Sequence, residues 1–150
     1  MANTFTQLKY HCIWSTKGHA RLIREEIEKD VWRILSACAS NHGLVVARAG
    51  GVEDHVHVLM DIPKTMTVSE AMKRLKGASS AAINKAGLMK EQFAWQDGYG
   101  AFTVSTSNVP EVLAYIGRQR THHKTQTFKE EFIAFLEKHG VEYDSRYLWG

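Results

Sequence analysis

Alternation of apolar and polar side chains marks the first stretch, Phe5 to Ser15. Leu8, Tyr10, Cys12 and Trp14 alternate with Lys9, His11, Ile13 and Ser15, the period of a strand. From Glu25 to Asn41 the period lengthens. Ile27, Val31, Ile34, Leu35, Cys38 and Ala39 recur at three and four residues and predict a helix, stopped at His42-Gly43. A short strand over Leu44 to Ala49 follows, with Gly50-Gly51 as the expected turn into a second alternating run. From Val52 onward, Val52, Asp54, Val56, Val58, Met60 and Ile62 share one face; Glu53, His55, His57, Leu59 and Asp61 share the other. Pro63-Lys64 ends this strand.

Thr67-Val68-Ser69-Glu70 reads as a capping box. It opens a helix whose buried stripe is Val68, Ala71, Met72, Leu75, Ala82 and Ile83. Phe93–Gln96 and Ala101–Ser105 are strand-like runs flanking Asp97-Gly98-Tyr99-Gly100. Asn108-Val109-Pro110-Glu111 predicts a cap for a third helix, packed through Val112, Leu113 and Ile116. Thr127-Phe128-Lys129-Glu130 is another capping box, before a last helix with the stripe Phe128, Phe132, Phe135 and Leu136. Gly140 ends it, and an aromatic tail with Tyr143, Tyr147 and Trp149 follows.

The order strand, helix, strand, strand, helix, strand predicts an α+β protein with a ferredoxin-like (RRM-like) βαββαβ antiparallel sheet. Two helices cover one face of that sheet; a tyrosine-bearing helix and a further helix come after it. The Val/Met/Ile side of the 52–62 strand must meet the two covering helices, so His55 and His57 are expected on the opposite face. The 150 residues fit one domain, 1–150.

Composition narrows the classes. The chain is 44% hydrophobic and 23% charged, as in ordinary globular proteins. No apolar run approaches a membrane span, and Met1-Ala2-Asn3-Thr4 does not resemble a signal peptide. Cys12 and Cys38 are expected as free thiols, which points to the cytoplasm. A formal net charge of +3 permits nucleic-acid binding without demanding it.

Two imidazoles one pleat apart on a strand are either solvated side chains or a metal-ligand pair. Tyr115 and Gln119, four residues apart, are either a half-buried surface helix face or the second half of that site. Joined, His55, His57 and Gln119 form a neutral nitrogen/oxygen set suited to Mg²⁺ or Mn²⁺, with Tyr115 one turn away as a nucleophile. His122 and His123 either assist this shell or simply close the helix end. The basic turn Thr16–Arg21 and the Lys/Arg-rich 73–85 helix face are solvated surfaces or phosphate contacts.

The ordered motifs resemble a known family. Asp54-His55-Val56-His57 is similar to the His-hydrophobic-His motif of HUH endonucleases. Tyr115-Ile116-Gly117-Arg118-Gln119 resembles the helix motif of their single-tyrosine transposases, the TnpA proteins of small bacterial insertion sequences. Tyr10–Lys17, Gly50–Leu59, Lys76–Ser80, Trp95–Phe102 and Gln119–His123 extend the resemblance over roughly Phe5 to Trp149. REP-associated relatives carry Asn-Pro after the tyrosine motif; here Gln119-Arg120 stands instead and favours the insertion-sequence type. The resemblance implies a metal-dependent single-stranded DNA transposase. It nicks and rejoins strands at element ends through a 5′-phosphotyrosine intermediate, with Tyr115 as nucleophile and the metal on His55, His57 and Gln119. It implies a homodimer and DNA with subterminal hairpins. Lys17, Arg21, Lys73, Lys76 and Arg118 are the expected DNA contacts. The competing readings are a non-catalytic single-stranded nucleic-acid module stacking bases on Trp95, Tyr99 and Phe102, a domesticated transposase, and a zinc hydrolase on His55 and His57. The last is disfavoured in the sequence by the lack of a further His, Asp or Glu at a recognisable ligand spacing.

Overall fold

The computed structural model describes residues 3–149, so Met1-Ala2 at the start and Gly150 at the end of the tail lie outside it. In chain order the elements are β1 (Lys9–Ser15), α1 (Glu28–Asn41), β2 (Val45–Val52), β3 (His55–Asp61), α2 (Val68–Ala86), β4 (Gly100–Thr103), α3 (Val109–Gly117), α4 (Gln119–His122) and α5 (Phe128–Lys138). The sheet order is β2-β3-β1-β4 and every pairing is antiparallel, the expected split arrangement. No helix among the described residues is long and apolar enough to cross a membrane.

The period-two pattern sorts each strand between two layers. Cys12 and Trp14 of β1, with Val56, Val58 and Met60 of β3, pack on Val31, Leu35 and Ala39 of α1 and on Ala71, Met72, Leu75 and Ile83 of α2. The opposite face of the sheet is covered as well. There Ile13 and Phe102 meet Phe128, Phe132 and Leu136 of α5, and α3 lies against β2.

Two glycines allow this second layer to sit close. A Cβ on Gly50 would lie 2.6 Å from the Ile116 carbonyl oxygen of α3 and 2.9 Å from its Cγ2. A Cβ on Gly100 would lie 2.9 Å from the Phe132 ring of α5. Gly50-Gly51 is therefore not the hairpin turn: both residues are strand, paired with His57 and Val56, and the chain turns at Glu53-Asp54. The sequence pattern of a turn and that of a close helix approach are the same pair of glycines.

Other boundaries shift for local reasons. The first strand begins at Lys9 and the first helix at Glu28, without a side-chain cap. At α2 only half of the capping box forms. The Thr67 hydroxyl accepts from the Glu70 N–H, while the Glu70 carboxylate accepts from Arg74 instead. Phe93–Gln96 is no strand; Trp95 makes a single bridge to Thr16. Asn108 makes no side-chain cap, because a 3₁₀ turn over Thr106–Asn108 leads straight into α3. The box at Thr127 forms in full, from both directions.

Because the Ile116 backbone stands where a Cβ on residue 50 would go, Gly50→Ala must push α3 off the sheet. We expect a loss of about 1–3 kcal/mol in urea unfolding, whereas Gly77→Ala, with open space around it, is expected to leave stability unchanged or slightly raised.

Candidate active site

The second face of the sheet gathers polar groups from five elements. His55 and His57 project from β3 one pleat apart, and both are fully buried. His11 of β1 stands beside them: its Nε2 is 2.8 Å from His57 Nδ1. The hairpin turn supplies Asp54, whose carboxylate lies 2.8 Å from His55 Nδ1. Asp54 was the one polar residue expected on the apolar side of the strand; in the turn, it reaches back to its neighbour instead.

The tyrosine segment is broken where continuity was expected. Arg118 leaves helical geometry (φ −103°, ψ 19°), ending α3 and starting α4. Tyr115 and Gln119 flank this break and still point to one place. Gln119 is buried, with Oε1 3.1 Å from His55 Nε2. Arg120 anchors the short α4: it donates to Glu53 at the hairpin tip and to Glu28 at the start of α1, at 2.8 and 2.7 Å.

The hub of the cluster is Glu131 of α5, buried. Its Oε1 is 2.9 Å from His57 Nε2, 3.0 Å from His123 Nε2 and 3.3 Å from His55 Nε2. Its Oε2 accepts a short hydrogen bond from the Tyr115 hydroxyl. His122 Nε2 lies 3.1 Å from the same hydroxyl. His55, His57, His123 and Glu131 hold their ligand atoms within 4.8 Å of one another and could hold a metal ion, with the Gln119 oxygen beside them.

Burial pushes the His57 imidazole down to about 4, although Glu131 lies against it. Burial, with His57 next to it, takes His11 down to about 3. His55 goes the other way, up to about 9: burial opposes its charge, but the Asp54 and Glu131 carboxylates on either side outweigh it. Burial likewise opposes the charge on Glu131, yet contacts to His123, His55 and His57 hold its carboxyl far below the usual range. Burial and the neighbouring carboxylate keep the Tyr115 hydroxyl well above its ordinary value, so in this closed arrangement it is a hydrogen-bonded phenol.

The structure brings Tyr115, His55, His57 and Gln119 together as expected. Of the two helix-end histidines it brings His123 into the ligand cluster, and it adds His11 and Glu131, the latter a further ligand that the sequence did not offer. The basic candidates scatter. Arg118 lines a cleft of about 340 Å³ together with His11, Tyr115, His122 and Glu131. Arg21 is exposed against Glu53, on a second cleft that Asp54, Arg120 and His123 also line. Lys17 is exposed in the 16–19 turn. Lys73 and Lys76 flank a groove on α2, where Lys76 donates to the Asp97 and Gly98 carbonyls and lies over the Tyr99 ring. Trp95 and Phe102 are core residues, at 6% and 5% exposure, and offer no stacking platform.

Residues 4–119 match the family model described as transposase IS200 like. The chain is 30% identical over 118 residues to the ISDra2 transposase TnpA of Deinococcus radiodurans, covering 75% of this chain and 84% of that one. It is 30% identical over 129 residues to the transposase for insertion sequence element IS200 of Salmonella typhimurium, covering 83% and 84%. Among solved structures, a candidate transposase from Deinococcus radiodurans R1 superposes with a TM-score of 0.64 at 27% identity, over 79% of this chain and 95% of that one. A REP-associated tyrosine transposase bound to a REP hairpin shares the fold, with a TM-score of 0.57 at 11% identity, over 82% and 73%.

His11 and His57 are buried neutral, so the unfolded chain takes up protons that the folded one refuses. Their contribution is intact above about pH 6.5 and is lost as pH falls toward 4; His55, shifted upward, adds no slope in that range. In chelator, we expect His11→Gln, which keeps a partner for His57 but does not titrate, to remove about 2 kcal/mol of the stability lost between pH 6.5 and 5. Thermal melts across that interval check it; equal slopes in the two proteins would contradict it.

Proposed function

As the chain belongs to the IS200-like transposase family and is a transposase enzyme, we propose that it cuts and rejoins single-stranded DNA through a covalent tyrosine intermediate at the cluster around His57. In the forward step the Tyr115 oxygen bonds to phosphorus and the P–O3′ bond breaks. The phenol proton ends on the departing 3′ oxygen, leaving a 5′-phosphotyrosine and a free 3′-OH. A 3′-OH attacks that link in the reverse sense, so the bond energy is kept and no nucleotide cofactor is consumed.

The observation that carries this reading is the single carboxylate of Glu131, which touches the Tyr115 hydroxyl with one oxygen and the imidazoles with the other. Nucleophile and ligand cluster are thus one small anion apart, the span that a phosphodiester bridges. His55, His57 and Gln119 suit a divalent ion in their donor chemistry, since Gln119 turns its carbonyl oxygen, not its amide nitrogen, toward His55 Nε2. Mg²⁺ or Mn²⁺ held by these three would polarise the scissile phosphate. Asp54 and His11 fix the orientation of the two histidine rings, and Arg120 fixes the helix that carries Gln119. Arg118, exposed at the lip of the tyrosine cleft, would contact a phosphate of the strand; Arg21, on the cleft that Asp54 and His123 line, and Lys17, Lys73 and Lys76 would be further contacts. The family resemblance extends the reading to a homodimer acting on strands with subterminal hairpins.

His123 and Glu131 also give a metal-hydrolase reading the ligands it wanted in the sequence, and one experiment separates the two. Labelled single-stranded DNAs from the flanks of the coding region are incubated with the protein and Mg²⁺ or Mn²⁺, then run on a denaturing gel. We expect a metal-dependent DNA–protein adduct, reduced at least about a thousandfold in Tyr115→Phe. Cleavage without an adduct would replace the transesterase reading by hydrolysis. For Arg118→Ala we expect weaker single-strand binding, with the slope against log salt reduced by about one, measured by fluorescence anisotropy.

A further inference from the structure

Five side chains with metal-binding atoms converge behind Tyr115. His123 Nδ1 lies 2.6 Å from the Gln126 carbonyl, which only accepts, so that nitrogen donates and Nε2 is the one turned to the cluster. Nε2 faces the Gln119 oxygen at 3.1 Å and Glu131 Oε1 at 3.0 Å. His55 repeats the pattern. Its Nδ1 is held by the Asp54 carboxylate, and its Nε2 lies 3.1 Å from the Gln119 oxygen and 3.3 Å from Glu131 Oε1. His57 Nε2 completes the set, 2.9 Å from Glu131 Oε1. Protons on the rings, or a cation that takes their place, hold these nitrogens and oxygens together. Donors bound at about 2.0–2.2 Å to one ion stand about 3.0–3.5 Å from their neighbours, close to the spacing found here.

We propose that Glu131 is an exchangeable ligand of the active-site metal, and that it occupies the position a scissile phosphate oxygen has to take. The proposal rests on the metal reading above. His123 is the companion ligand, and neither residue falls within the family-matched span, which ends at Gln119. The second oxygen of Glu131 already holds the Tyr115 hydroxyl, so the carboxylate bridges ion site and nucleophile as the substrate phosphate must. His55, His57, Gln119 and Glu131 are all buried, at 0–2% exposure, so no strand reaches them while α5 is docked. Entry of DNA therefore exchanges one anion for another: the phosphate arrives as Glu131 leaves, and α5 swings from the sheet about the 123–127 connection. In the resting protein the same ligand bond ties α5 down.

The test is a Mn²⁺ titration by calorimetry on DNA-free protein, with Glu131→Ala, Glu131→Gln and His57→Ala. We expect His57→Ala to abolish tight binding, and the two Glu131 variants to weaken it at least about tenfold. Circular dichroism in chelator verifies folding, and the near-isosteric Glu131→Gln gives the reading if Glu131→Ala does not fold. Unchanged affinity in the Glu131 variants with loss in His57→Ala overturns this proposal and leaves the metal site standing. Unchanged affinity in all three removes the metal reading of the site and the proposal with it. A second measurement reads the exchange: in a Tyr115→Phe background with Mn²⁺, Glu131→Ala is expected to bind a short single-stranded oligonucleotide at least about fivefold more tightly. Equal or weaker oligonucleotide binding would overturn the exchange.

Discussion

Strand β3 is buried on both faces from His55 to Met60. On one side it presents valines and a methionine, which the two helices α1 and α2 cover at no electrostatic cost. On the other it presents two imidazoles, and an imidazole taken out of water needs a partner for each nitrogen. The rest of the second layer answers that demand. Asp54 serves one ring from the turn, His11 serves the other from the neighbouring strand, and Gln119 and Glu131 reach the remaining nitrogens from two separate segments of the last third of the chain.

This arrangement explains why the sheet has two layers of different character. The α1/α2 side is an ordinary hydrophobic core whose packing fixes the strands. The α3–α5 side is held by fewer apolar contacts, mainly aromatic rings on Ile13 and Phe102, and by charged or polar bonds into the cluster. Such a layer is the natural place for motion, since its polar links can be traded for links to a ligand. Gly50 and Gly100 bring α3 and α5 within reach of the imidazoles, and a bulkier residue at either would hold the nucleophile or the carboxylate away.

Much of this was legible in the sequence. Period two over residues 52–62 sorts histidines from valines without error, and the order of strands and helices gives the sheet. Tyr115 and Gln119 could be paired with the histidines from spacing and family motif, although the chain breaks its helix between them. Glu131 could not be found this way. It lies 74 residues from His57, one position after a capping glutamate, in the acidic first turn that any helix favours. His11 was hidden by its ordinary place in an alternating strand. Gly50-Gly51 misled because the same dipeptide makes turns and close contacts. Arg21 and Arg118 line two clefts at the cluster while Lys73 and Lys76 line a groove on α2, which reflects how little an isolated basic residue says about where it lies.

The capping box at Thr127 has a role beyond ending a loop. By accepting from the Glu130 N–H while its own N–H is held by the Glu130 carboxylate, Thr127 sets the residue at which α5 begins. A helix that starts one residue later in the same groove presents every side chain about 100° around its axis. Glu131 would then face away from the imidazoles, and a neighbouring residue would face them. An exposed threonine, its hydroxyl bonded to Glu130, thus sets the rotational phase of the carboxylate inside the cluster, much as the first tooth engaged fixes the position of every later tooth on a gear.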